Sequence, residues 1–362
     1  MKLVVLLGGL TLCCPLSELL VLLLAGEQPK FPRHVVGAPW GLRYNEPGAR
    51  YRHKSADVSV QFRINGQGMR ADRDYAHEKP PGVKRILSLG DSYTVGYEVE
   101  VEQTFSSVLE ARLRAQGLQV EVLNCGVSGY SNAEECLYVE KELLRYQPDL
   151  VLVSFYWNDL ADNVRSGLFQ LEGEQLLQKR EGYVPGGGLG DWLNQSWLFS
   201  LLSERSNAFC LLKERLTILL KGQMVQAGQR ELQQAGTQAA GGGEGESPED
   251  AYQRRLALAI FERLYAGLAA RKIPLVIQSI PLRMPVQQAD GSFQEVLLER
   301  FPPGFDATRS GTLFFSAKEV LDPLVGKETL YYRRSHWHWT PIAHQRSGER
   351  LAELILERGL LR

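Results

Sequence analysis

Four short clusters in this chain carry residue types suited to acyl chemistry. The first is Gly90-Asp91-Ser92-Tyr93-Thr94-Val95-Gly96, a hydroxyl in a glycine-bounded stretch. The second is Asn124-Cys125-Gly126-Val127-Ser128-Gly129, the third Trp157-Asn158-Asp159, and the fourth His336-Trp337-His338-Trp339-Thr340-Pro341. Attack by a serine on an ester needs a hydroxyl on a tight turn, a base to take its proton, and donors for the oxyanion that forms. These clusters hold a hydroxyl, imidazoles that titrate near neutrality, a neutral amide donor, and glycines whose backbone a substrate can approach closely.

The surrounding pattern says what must position them. Arg85–Gly90 reads as a short apolar strand, Glu102–Gln116 as a helix with Phe105, Val108, Leu109 and Leu113 on one face, and Val120–Gly126 as a second strand. A helix over Asn132–Tyr146 ends before Pro148, and Leu150–Tyr156 is a continuous apolar run, as in a strand buried on both faces. Further on come a helix over Ala251–Ala270, a strand over Pro274–Ile280, a fifth strand over Glu328–Arg333 and a closing amphipathic helix over Thr340–Glu357. Alternating strands and helices predict a parallel sheet with helices on both faces, a three-layer α/β/α sandwich of flavodoxin-like plan. In such a sheet, functional groups gather beyond the carboxyl ends of the strands. The first three clusters each follow a strand, and the fourth precedes the last helix.

These four blocks, in this order, resemble the SGNH/GDSL hydrolase superfamily. The likeness covers about residues 84–160 and 270–360, and Ile64-Asn65-Gly66-Gln67-Gly68-Met69-Arg70 is similar to a segment of membrane-anchored bacterial members. The resemblance implies ester hydrolysis or acyl transfer through Ser92 as nucleophile and His338 as base. The backbone N–H groups of Ser92 and Gly126 and the side-chain amide of Asn158 would form the oxyanion hole. It implies no metal or organic cofactor. Asp91 and Asp159 are expected to brace turns, since short Asp side chains bond local backbone. His344 is expected to pack or cap, and Trp337 and Trp339 to pack.

One position departs from the resembled family, whose members carry an aspartate two residues before the base; here it is His336. A backbone carbonyl or a distant carboxylate could substitute, giving a Ser–His dyad. The alternative is a catalytically weakened or inactive protein that binds acylated glycan.

Around this core lie three further features. Leu3–Ala25 is apolar apart from Glu18, is preceded by Lys2, and is long enough for a bilayer span of about 20 residues, so residues 1–26 are expected to be a signal anchor or a cleaved signal. The remainder would lie outside the cytoplasm, membrane-anchored, or else secreted or periplasmic, facing a glycan or lipid ester. Residues 27–83 read as an irregular extension containing a short strand at Val58–Ile64. The domain over 84–362 is interrupted by an insertion at about 165–250, helical from Trp197 to about Gln234 and rich in Gly, Glu and Ser from Gly236 to Pro248. Of five cysteines, Cys125, Cys136 and Cys210 read as buried thiols. With 41 basic against 42 acidic residues and no basic block, nucleic acid is not an expected partner.

Overall fold

The computed structural model describes residues 2–25, 35–55, 57–184, 196–213, 215–216, 247–287, 293–334 and 337–361. Five parallel strands form the central sheet: β1 (Lys84–Leu89), β2 (Val120–Asn124), β3 (Leu150–Phe155), β4 (Leu275–Ser279) and β5 (Thr312–Ser316). Their spatial order is β2-β1-β3-β4-β5, and each neighbouring pair is parallel. This is the flavodoxin-like order, whose switch point lies between β1 and β3.

Alternation along each strand creates the three layers. Leu87, Leu89, Leu123, Val151, Val153, Leu275 and Ile277 face one apolar cluster, while Ile86, Val120, Val122, Leu150, Leu152, Val276 and Leu313 face another. Adjacent residues therefore point to opposite faces, and both faces are dry. The helices in use are α1 (Ser92–Val95), α2 (Phe105–Ala115), α3 (Asn132–Lys141), α4 (Asp159–Ser166), α5 (Pro248–Ala269) and α6 (Pro341–Glu357). Leu256, Ile260, Phe261 and Leu264 of α5 join the first cluster; Leu109 and Leu113 of α2 with Leu351 and Ile355 of α6 join the second.

The fifth strand is a correction. The segment expected over 328–333 makes one isolated antiparallel bridge, Tyr331 to Trp339, and the sheet's edge is Thr312–Ser316 instead. The hairpins Phe169–Glu172 with Gln175–Gln178 and Leu282–Gln287 with Phe293–Leu298 add strands that periodicity did not predict. Cys125, Cys136 and Cys210 are buried free thiols.

The chain divides into two compact units. The larger, His34–Tyr51, Val60–Pro185 and Ala251–Arg362, holds the sheet. The smaller comprises Met1–Arg33, Arg52–Ser59 and Gly186–Asp250. In the smaller unit the N-terminal run forms the helix Lys2–Ala25, with side chains described from Cys14 onward, and the insertion forms the helix Trp197–Arg205. Pro185–Gly188, and the insertion beyond 216 up to 246, lie outside the described residues. Among the described residues no helix is long and apolar enough to cross a membrane.

At the amino end of the sheet, Arg85 is fully buried and lies directly across from Glu121. Its Nε and Nη2 donate to Glu121 Oε2 at 3.1 and 2.7 Å, and its Nη1 donates to the Tyr146 carbonyl at 2.7 Å. Removing Arg85 takes away Glu121's buried partner and leaves it the 3.8 Å approach of the Arg73 guanidinium. Arg85→Leu is expected to destabilise the protein by about 3 kcal/mol in urea denaturation. Because Arg85 lies at the sheet's far end from Ser92, esterase kcat of the folded fraction should stay near wild type.

Candidate active site

The turn after β1 is shaped by two residues before the serine. Gly90 has φ +150°, and a Cβ there would lie 2.0 Å from Thr94 Oγ1, so a side chain is excluded on both counts. Asp91 then caps α1, its Oδ1 accepting the Tyr93 N–H at 2.9 Å, the brace expected of it. Ser92 is thereby the first residue of a short helix at the carboxyl edge of the sheet, next to the switch point.

The loop after β2 closes onto this helix. A Cβ on Gly126 would stand 2.4 Å from Val95 N and 2.8 Å from Thr94 C, so only glycine lets the two backbones meet. Asn124 fastens them, donating from Nδ2 to the Thr94 carbonyl at 2.7 Å and accepting the Gly126 N–H on Oδ1 at 3.1 Å. Asn158 follows β3 at the start of α4, and its Nδ2 donates to Asp162 Oδ2 at 2.9 Å. An amide NH₂ keeps a second hydrogen for another acceptor.

His338 arrives from the opposite end of the chain. Trp337 before it takes a left-handed φ of 58°, and its carbonyl accepts the Tyr93 hydroxyl at 3.0 Å. The His338 carbonyl accepts from Tyr332 N–H at 2.9 Å. These contacts set its Nε2 2.8 Å from Ser92 Oγ. With the proton on Nδ1, Nε2 presents a lone pair to the hydroxyl, so the pair can pass a proton from oxygen to nitrogen. The Tyr93 and Tyr97 rings each lie 5.3 Å from the imidazole, centroid to centroid. On the far side of the ring, Nδ1 lies 3.4 Å from Glu98 Oε2, a residue the motif reading did not single out. Its only sequence signal is an acidic residue six positions after the serine. His336 lies outside the described residues.

The upstream segment Ile64–Arg70 braces the site. Asn65 Oδ1 accepts the N–H groups of Gln67 and Met69, each at 2.9 Å, and the Arg70 N–H donates to the Asn124 carbonyl at 3.0 Å. The buried Arg70 guanidinium lies 3.6 Å over the Phe62 ring and donates to the Val99 carbonyl at 2.7 Å. Asn45 Nδ2 donates to the carbonyls of Gly68 and Gly126, at 3.0 and 2.9 Å.

Trp339 and His344 pack, as expected of them. Trp339 is fully buried, edge-on to Tyr93, Phe105 and His344. His344 Nδ1 accepts the Phe105 N–H at 3.2 Å, and burial drops its pKa to about 3, so it stays neutral. Trp337, expected to pack, is instead half exposed. Among the described residues no group of three or more His, Cys, Asp or Glu could hold a metal ion.

Three buried acids lie behind the serine turn. Asn132 Nδ2 bridges Glu135 Oε2 and Asp159 Oδ2 at 3.0 and 3.2 Å, and Asp159 also accepts the Tyr156 N–H at 2.9 Å. Burial pushes Glu135 from 4.5 up to about 8 and Asp91 from 3.8 up to about 7, with repulsion from Asp91 adding to the first and from Asp162 to the second, and Asp159 is raised likewise. A carboxyl raised in the folded state favours folding while it is protonated, and that contribution is lost as pH climbs through the folded pKa. For Glu135 the loss runs from about 4.5 to about 8. Glu135→Gln mimics the protonated form, so its Tm should match wild type near pH 5 and exceed it increasingly toward pH 9 by calorimetry. A pH-independent difference would place Glu135 in its charged form throughout.

A family model described as the GDSL-like lipase/acylhydrolase family matches residues 88–299, more than half of the chain. A curated arylesterase of Vibrio mimicus is 33% identical over 76 residues, a stretch covering 21% of this chain and 38% of that protein. Among solved structures, a psychrotrophic esterase of Pseudoalteromonas sp. aligns at 12% identity over 76% of this chain and 97% of its own, with TM-score 0.39. A GDSL-like lipase of Bacteroides thetaiotaomicron aligns at 12% identity over 76% and 87%, with TM-score 0.32. It is the family model, matched across the serine turn, the glycine loop and the asparagine, that decides the assignment: the chain belongs to the GDSL-like lipase/acylhydrolase family.

Proposed function

We propose that this chain cleaves or transfers the acyl group of an ester at the cell envelope through a Ser92 acyl-enzyme. The observation that carries the reading is the 2.8 Å contact between Ser92 Oγ and His338 Nε2. As Ser92 Oγ attacks the acyl carbon, His338 takes its proton; the oxyanion is held by the Ser92 and Gly126 N–H groups and the Asn158 amide. Asp162, bonded to one hydrogen of that amide, fixes its orientation and leaves the other for the oxyanion. The 3.1 Å bond from Gly126 N–H to Asn124 is one that a charged oxyanion would share or take over. His338 then protonates the leaving alcohol. Water or a glycan hydroxyl accepts the acyl group in the second half, and an acylated glycan or lipid is the proposed substrate class.

On p-nitrophenyl acetate, wild-type protein should show turnover and Ser92→Ala none. Asn158→Ala should lower kcat by about 10²–10³-fold with a smaller change in KM, because the amide meets full charge only in the transition state. Activity surviving in Ser92→Ala would remove the acyl-enzyme from the account.

The envelope location rests on the run Leu3–Ala25. Leu16, Leu19, Leu20, Leu23 and Leu24 of its helix are exposed. Its one charge, Glu18, accepts from the Ser206 hydroxyl and from the N–H groups of Asn207 at 2.7 Å and Ala208 at 3.2 Å, so it has protein partners in place of water. The intact chain should stay with membranes in an alkaline carbonate wash. Release into the supernatant, or a mature N-terminus near Glu27, would replace the anchor with a cleaved signal.

A further inference from the structure

We propose that Glu98 is the positioning carboxylate of His338, supplied from the nucleophile's own turn rather than from two residues before the base. The inference rests on the reading of Ser92 and His338 above. Three independent observations carry it.

The first is geometry. Glu98 Oε2 faces Nδ1 at 3.4 Å while Ser92 Oγ faces Nε2 at 2.8 Å, so one short segment, Ser92 to Glu98, touches both nitrogens of the ring. The contact to Nδ1 is long for a hydrogen bond, as catalytic contacts often are before substrate binds. The second is burial. The Glu98 side chain is 0% exposed beside a His338 side chain at 12%, and a buried carboxylate is retained only where it is paired. The third is backbone conformation. Glu98 has φ +78°, a region costly for any residue with a Cβ, so the chain accepts strain to hold an acid where glycine would be relaxed.

The turn that holds Glu98 is itself fastened at both ends. Tyr97 N–H donates to the Ser92 carbonyl at 3.0 Å, and the Val99 carbonyl accepts from the buried Arg70 at 2.7 Å. The acid therefore moves with the serine, and the imidazole arriving from the chain's far end docks between them. Among the described residues, the groups seen facing this imidazole include Ser92, Glu98, the phenol rings of Tyr93 and Tyr97, and, deeper, the neutral His344 on α6. Of these Glu98 is the one carboxyl group. As a carboxylate it accepts from Nδ1–H; Nδ1 keeps its proton, the Ser92 proton goes to Nε2, and the imidazolium so formed is stabilised.

Two variants and two readouts test this. Glu98→Gln keeps shape and loses charge; Glu98→Gly relieves the left-handed backbone and removes the acid, so it folds even where the glutamine variant does not. Both are expected to lower kcat on p-nitrophenyl acetate by about 10²–10⁴-fold with KM within about twofold. Without the carboxylate the imidazole loses its proton more readily, so the ascending limb of the kcat/KM–pH profile should move to lower pH. The second readout is the His338 titration followed by NMR, which needs no turnover and should move the same way. A folded Glu98→Gly protein with kcat within threefold of wild type and an unmoved His338 titration overturns the proposal while leaving the Ser92 reading intact. A wild-type protein without turnover, whose His338 titration still shifts in Glu98→Gln, upholds the pairing and removes the esterase reading instead.

Discussion

Everything in the larger unit serves one contact, the 2.8 Å approach of Ser92 Oγ to His338 Nε2 across 246 positions of sequence. Neither residue can find the other locally. Ser92 is placed by the end of β1, His338 by a turn that enters the last helix, and only the closed sheet brings those ends to one edge. The two apolar layers fix the distance between strand and helix, because close-packed faces tolerate little sliding. The tight glycine approach at Gly126 and the Asn124 clasp then remove the remaining freedom of the loops.

Much of this was legible before any coordinates. Ser92, Gly126, Asn158 and His338 stand at strand or helix ends, where local residue types mark turns and where an α/β sheet collects its polar groups. Short apolar runs between helical stretches sufficed for four of the five strands. The fifth escaped because Thr312–Ser316 is a short edge strand, while Glu328–Arg333 has the β-branched and aromatic composition of a strand yet makes one bridge only. The hairpin strand Leu282–Gln287 escaped because Pro285 reads as a breaker, though a strand outside the main sheet can carry it.

Glu98 was illegible for a different reason. Its importance depends on a left-handed residue turning a side chain back beneath a ring that arrives 240 positions later. Composition and spacing treat such an acid as an ordinary solvated glutamate. The buried acids Asp91, Glu135 and Asp159 are a milder case: each could be read as a turn brace or helix surface, but their convergence behind the serine is a property of three loops meeting.

The clasp made by Asn45 and Arg70 changes where this chain can be cut. The sheet begins at Lys84, and a fragment starting there would retain every central strand and all four motif residues. It would lack the amide that holds the Gly126 carbonyl, the N–H that holds Asn124, and the guanidinium that holds Val99. Such a fragment would also lose Leu42, Met69, Ala71 and Tyr75 from one apolar layer, and its loops around the serine would loosen. The sheet and the loops around the serine thus have different minimal lengths along the chain, and the forty residues or so ahead of the first sheet strand brace those loops.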